Sequence, residues 1–327
     1  MNNSDFPEEI FGPVFSVLFS ATHGDETTKP KKQKPVYRAS PIKRKRRTKA
    51  EIEQLEQQIY AVLAEDHPQS VRHVFYRMTD PRLPVPIEKT ERGYIQVQQR
   101  CTVMRRAEKL PYGWFSDMSR QGYFTDTYRD ASDFIMKMQG LYRADTWRDA
   151  ECRCEVWVES RSIAGVLLGS CQELAVDLYP CGGFPSLTFV YQAAEANNRL
   201  DDDRPLVVFY VGDYDPSGVL IDRKLEQELR QHLRPGIELH FKRLAINPEQ
   251  IVAYDLPTKP RKKNDRRELH IERTVEAEAM PARTLRFIVK CAVENLLPAN
   301  ALKVAKVAEE SERAHLIHMA GMLSRDQ

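Results

Sequence analysis

The 327 residues, 42% hydrophobic and 29% charged, have the balance of a globular chain of roughly two domains and argue against a disordered or fibrous protein. No apolar stretch approaches the roughly 20 residues of a membrane span; the nearest, residues 10–21, is broken by Gly12 and Pro13 and preceded by acids, which also argues against a secretory signal. The net charge of +2 hides an asymmetry, because residues 29–49 hold eleven Lys and Arg and no acid, leaving the remainder at −9.

That basic segment, KPKKQKPVYRASPIKRKRR, is rich in proline and lacks apolar periodicity, so residues 1–48 read as a disordered tail. A cationic arm beside an acidic body suits a polyanion, since each cation that meets a phosphate releases a counterion. Lys43, Arg44, Lys45, Arg46 and Arg47 are its candidate DNA contacts, with a solubilising tail as the alternative.

Residues 49–150 are polar and helical in pattern. AEIEQLEQQIYAVLAE sets Ile52, Leu55, Ile59, Val62 and Leu63 at helical spacing. Pro68 and Ser70 can open a second helix, SVRHVFYRM, and TERGYIQVQQRCTVMRRAEK reads as a third, with Arg105 and Arg106 near its end. Small helices with exposed Arg and Lys suit a winged-helix-like DNA-binding domain, and a plain helical bundle gives the same string.

From residue 151 to 327 the pattern changes. CEVWVES, VDLYP, PLVVFYVGD and IELHFKRLAI read as strands alternating with helices, which predicts an α/β fold with a mostly parallel, Rossmann-like sheet. In such sheets ligands sit at the carboxyl ends of the strands. Two strands end there in acid: Glu159 closes CEVWVE, and Asp213 closes VVFYVGD, with Asp215 two residues on. Converging carboxylates repel unless a cation neutralises them, and a hard cation such as Mg²⁺ takes oxygen ligands. Asp215 also precedes Pro216 and a helix, so a helix cap is its structural alternative. Gly182 and Gly183 form either a plain turn or a place for backbone to approach a phosphate. The six cysteines show no disulfide framework, and Cys152 with Cys154 lacks the second pair that a structural zinc site needs. A reducing, intracellular setting is expected.

EVWVES, the glycine turn with GFPS, and VGDYDPSG together resemble the Toprim domain, most closely that of the topoisomerase VI A subunit and its meiotic double-strand-break relative. The resemblance spans about residues 154–246. It implies a Toprim domain with C-terminal helices, and Mg²⁺ held by Glu159, Asp213 and Asp215 near a scissile phosphate. SVRHVFYRM resembles the family's nucleophile segment, which makes Tyr76 the candidate tyrosine and Arg72 its phosphate-holding cation. On this reading the chain cleaves DNA by transesterification, leaving a 5′-phosphotyrosine link. The alternatives are a Toprim nuclease that uses metal-activated water, and a non-enzymatic DNA-binding protein. Chemically the tyrosine needs an exposed phenol; packing at the edge of a core is its structural alternative.

The resemblance also implies a homodimer, nucleoid association and a separate ATPase subunit if strands are passed, since no Gly-rich nucleotide loop is visible. TVEAEAMPARTLRFIVKCAVENLL resembles an acidic helix start of stand-alone relatives; Glu276 and Glu278 are expected in a solvated first turn, with an addition to the acidic site as the alternative. Arg105, Arg106 and residues 259–267 either track phosphates or form solvated surface. His315 and His318 are expected on an exposed helix face.

Overall fold

The computed structural model describes residues 47–116, 125–261, 267–268 and 270–324. Most of the basic tail, with Lys43, Arg44, Lys45 and Arg46, lies outside the described residues; Arg47 is the first within them.

Each helix of the leading segment starts where its capping residue stands. Thr48 and Glu51 form a capping box at the head of α1 (Lys49–Glu65), each side chain accepting from the other's backbone N–H. Ser70 caps α2 (Val71–Met78) and Thr90 caps α3 (Glu91–Arg106). Leu55, Ile59 and Leu63 of α1, Val74 and Met78 of α2, and Val97, Cys101 and Met104 of α3 are buried against one another. A further helix, α4 (Ala131–Met138), packs on the C-terminal α10 (Ala301–Leu323), where the Ser132 hydroxyl donates to the Ala320 carbonyl at 2.9 Å. Ahead of the sheet, extended structure among the described residues amounts to one isolated bridge, between Gln69 and Phe115. The segment is helical there, and a wing hairpin is not seen among the described residues.

The sheet consists of β1 (Arg153–Val158), β2 (Asp177–Pro180), β3 (Leu206–Val211) and β4 (Leu239–Ala245), in the order β2-β1-β3-β4 and parallel throughout. Its connections are α5 (Arg161–Glu173), α6 (Leu187–Asn198) and α7 (Pro216–His232). The period of two divides each central strand between two cores. Trp157, Leu206, Val208 and Tyr210 face α6 and α7, where Val190, Ala194, Leu225 and Leu229 wait. Val156, Val158, Phe209 and Val211 face α5 and α9 (Ala282–Glu294), packing on Ile163, Leu167, Leu285 and Val289. Helices on both faces account for the unbroken apolar run of β3.

The second core continues into α1–α3, so the leading helices and the sheet share one packed interior, and Arg47–Gln327 is one compact unit. Asp66, just past α1, fastens the two, accepting from the Arg283 N–H at 2.9 Å and pairing with Arg286 of α9. After β4 come α8 (Pro248–Ala253) and a two-stranded antiparallel ribbon of β5 (Lys259–Pro260) and β6 (Arg273–Thr274). The chain then runs past the end of β3, where Tyr214 and Val275 exchange backbone hydrogen bonds of 2.8 and 2.9 Å. No described helix is long and apolar enough to cross a membrane.

Candidate metal centre

Glu159 stands one residue and Asp213 two residues beyond the carboxyl ends of the neighbouring strands β1 and β3, whose register pairs Val158 with Val211. The Glu159 Oε2 accepts from the Asp213 N–H at 2.8 Å, so the two loops are tied through a carboxylate. Two glycines make room for it. A Cβ on Gly212 would stand 2.7 Å from Glu159 Oε2, and one on Gly218 would stand 2.3 Å from the Asp213 carbonyl and 3.1 Å from Glu159 Oε2. The glycines of VGDYDPSG are thus demanded by crowding around a carboxylate.

Asp215 does what its position before Pro216 suggests: its Oδ1 accepts the Gly218 N–H at 2.7 Å and caps α7. The expectation of a solvated first turn at Glu276 and Glu278 is overturned. Both lie in the short turn that crosses the end of β3, and Glu278 is 6% exposed. The turn docks because the Ala277 N–H donates to Asp213 Oδ1 at 2.8 Å, while Val275, Ala277, Ala279 and Met280 are buried around it. Glu278 Oε1 accepts from the hydroxyls of Ser162 and, at 3.4 Å, Ser160. A fourth carboxylate therefore joins Glu159, Asp213 and Asp215.

Burial and like charge act together on this group. Glu159 is pushed up to about 7 by burial, with the Asp215 and Glu278 charges adding to it. Asp213 is raised well above the usual carboxylate range by burial and then by Glu159 and Glu278. The cation closest in effect, Arg243 of β4, is engaged elsewhere. It pairs with Asp222 at 2.5 Å and donates to the carbonyls of Gly212, Asp213, Ile246 and Gly218 at 2.8–3.3 Å, holding the acid-bearing loop from behind. The Tyr210 hydroxyl, fully buried and without a hydrogen-bond partner, lies at the same glycine.

The donor set is all oxygen and carries surplus negative charge, which fits a hard divalent cation. Among the described residues no group of three or more His, Cys, Asp or Glu side chains stands ready-made around a metal position, and Asp215 and Glu159 each turn an oxygen to a backbone N–H. Gly182 and Gly183 follow β2 with φ of +70° and +95°, open space where a Cβ would be, and the Gly183 N–H donating to the Glu159 carbonyl at 2.9 Å.

The tyrosine cluster borders the acids through the same turn. Tyr76 on α2 is 6% exposed, in contrast to the exposed phenol that a nucleophile requires. Burial and the neighbouring Glu276 carboxylate push its phenol above the ordinary value, the reverse of activation. Arg72, one helical turn earlier, donates to Glu276 Oε2 at 2.5 Å. Arg106 is exposed, whereas Arg105 stacks on the Phe115 ring at 4.5 Å. His315 and His318 lie exposed on α10.

No family model matches the chain, and no curated protein matches it.

Proposed function

We propose that this chain is a Mg²⁺-dependent DNA-cleaving protein of Toprim type, with Glu159, Asp213, Asp215 and Glu278 as its metal-binding carboxylates. The observation that carries the reading is the group of mutually repelling acids at the carboxyl edge of β1 and β3, near which Arg243 is itself bonded to Asp222 and to backbone carbonyls. Bound there, Mg²⁺ would supply charge stabilisation at a phosphate and a water of lowered pKa.

The chain's own residues support the rest. Arg243 fixes the backbone of the acid-bearing loop, and the open glycine turn at Gly182 and Gly183 lets a strand approach. The burial of Tyr76 favours water as the nucleophile in this conformation. Tyrosine transesterification is the second reading. It is favoured by the linkage of Tyr76 and Arg72, through the Glu276–Glu278 turn, to Asp213 of the same chain. DNA contacts by Arg106, Gly183 and residues 43–47, a winged-helix-like role for the leading helices, a homodimer and a separate ATPase subunit belong to the same proposal.

The test is supercoiled plasmid incubated with the protein and Mg²⁺, with products resolved before and after protease digestion. Nicked or linear DNA that needs no protease to enter the gel supports hydrolysis. Products released only by protease establish the tyrosine reading. No Mg²⁺-dependent product, or undiminished product from Asp213→Asn, overturns the assignment.

A further inference from the structure

Tyr76 stands where three cations from separate segments meet. Arg72 precedes it on α2, Lys89 lies just ahead of α3, and Lys259 stands on β5. The Lys89 and Lys259 ammonium groups are 5.5 and 5.8 Å from the centre of the Tyr76 ring. One carboxylate answers two of them. Glu276 takes Arg72 on Oε2 at 2.5 Å and Lys259 on Oε1 at 2.5 Å. Lys89 donates to the Thr258 carbonyl at 3.0 Å and has no carboxylate partner among the described residues. Burial and the Lys259 charge push its ammonium down to about 8, as expected where positive charge is in surplus. Arg273 adds to that surplus, and Glu278 is the next acid along. The cluster opens to solvent, with the Arg72, Lys259 and Glu276 side chains 38%, 42% and 24% exposed.

We propose that Arg72, Lys89 and Lys259 form a binding site for a DNA phosphodiester, and that Glu276 is an internal stand-in which the phosphate displaces. A carboxylate that gives each oxygen to a different cation presents the pattern of the two non-bridging oxygens of a phosphodiester, at the same single charge. The incoming phosphate gains Lys89 as a third partner, which Glu276 leaves unused. Displacement would also be felt at the acids, because the next residue, Ala277, holds Asp213. The choice of a DNA phosphodiester over free phosphate rests on the DNA-acting reading above.

Fluorescence anisotropy of a labelled short duplex, titrated with the full chain in EDTA over a salt series, tests this without cleavage. Glu276→Gln should bind about fivefold more tightly than the parent, the factor roughly one charge-assisted contact commands. Lys259→Gln should weaken binding by a similar factor and lower the salt slope by about 0.9, while Lys259→Arg keeps parental binding. Thermal melts verify that the variants fold; should Glu276→Gln not fold, the Lys259 pair decides alone. Unchanged or weaker binding by folded Glu276→Gln, or an unchanged salt slope for Lys259→Gln, overturns the proposal. So does inorganic phosphate raising the melting midpoint of Glu276→Gln while duplex affinity stays parental, since the site then takes free phosphate. Plasmid cleavage by the parent separates the two readings. Tighter duplex binding by Glu276→Gln in a parent that does not cut removes the cleavage reading alone; a cutting parent with indifferent Glu276→Gln removes this one alone.

Discussion

Strand β1 carries a carboxylate near each end, and the two live in opposite circumstances. Glu155, 4% exposed, is surrounded by donors: Asn197 Nδ2 at 2.6 Å on one oxygen and Trp157 Nε1 at 2.7 Å on the other, with Arg153 bonded in turn to Asn197 at 2.7 Å. Glu159, four residues on, meets one backbone N–H and faces the acids Asp215 and Glu278, with Arg243 as the opposing charge. Burial raises both carboxyls; at Glu155 one further acid, Asp177, adds to the rise but Asn197, Trp157 and Arg153 oppose it, whereas at Glu159 and Asp213 several neighbouring carboxylates add to the effect. A buried acid with its donors complete is part of the scaffold. A buried group of acids set against one another calls for a cation from outside.

Neutralising the two ends of β1 should therefore have opposite consequences, and the largest concerns activity. Asp213→Asn or Glu159→Gln should cut Mg²⁺-dependent plasmid cleavage by more than about 100-fold, a loss of several kcal/mol of charge stabilisation. The same variants should melt at or above the parental midpoint in EDTA, because a repulsion has been removed. A fall in midpoint in EDTA would place Glu159 in the same class as Glu155.

The next effect is on stability against pH in EDTA. Glu159 titrates near 7 in the folded chain against an ordinary value of 4.5, so the native state holds its proton more tightly than the unfolded state. The associated stability is present below about 4.5 and is lost as pH rises through about 7, amounting to about 3 kcal/mol from this group. Denaturant titrations across that window should show the decline, and Mg²⁺ should restore stability above it far more than below it. Glu159→Gln should flatten the profile.

At the other end of the strand, Glu155→Ala leaves Trp157 Nε1 without its acceptor and Asn197 Nδ2 with the Ala193 carbonyl alone, and should cost about 2–3 kcal/mol in denaturant unfolding. Tyr210→Phe is the smallest change. It removes a fully buried hydroxyl that has no partner and should be neutral or stabilising by up to about 1 kcal/mol. A larger loss would mean that the hydroxyl serves the Glu159 carboxylate.

Much of this was legible in the chain because the signals were local. The four strands showed as apolar runs between helical patterns, and Ser70, Thr90 and Asp215 stand at the helix starts they cap. Glu159 and Asp213 could be placed at one sheet edge because each follows a strand. What escaped depends on contacts distant in sequence. Glu278 reads more readily as a solvated acid than as an addition to the site, and the docking of Ala277 on Asp213, 64 residues away, brings it in. The alternating Val275, Ala277 and Ala279 were the available clue. Glu155 and Arg243 gave little local signal, since Asn197 comes from α6 and the partners of Arg243 from α7 and the loops around β3. Tyr76 could be assigned to a helix, but the charged neighbours of its phenol, Lys89, Lys259 and Glu276, come from three other segments.

The most direct test is calorimetric titration of the metal-free full chain with Mg²⁺, and with Mn²⁺ as a second hard cation, at a pH above about 7 where Glu159 is ionised. We predict saturable binding that Asp213→Asn and Glu159→Gln abolish and Glu155→Gln retains. Absence of binding by the parent, or equal binding by Asp213→Asn, would contradict the assignment of these acids as a metal centre.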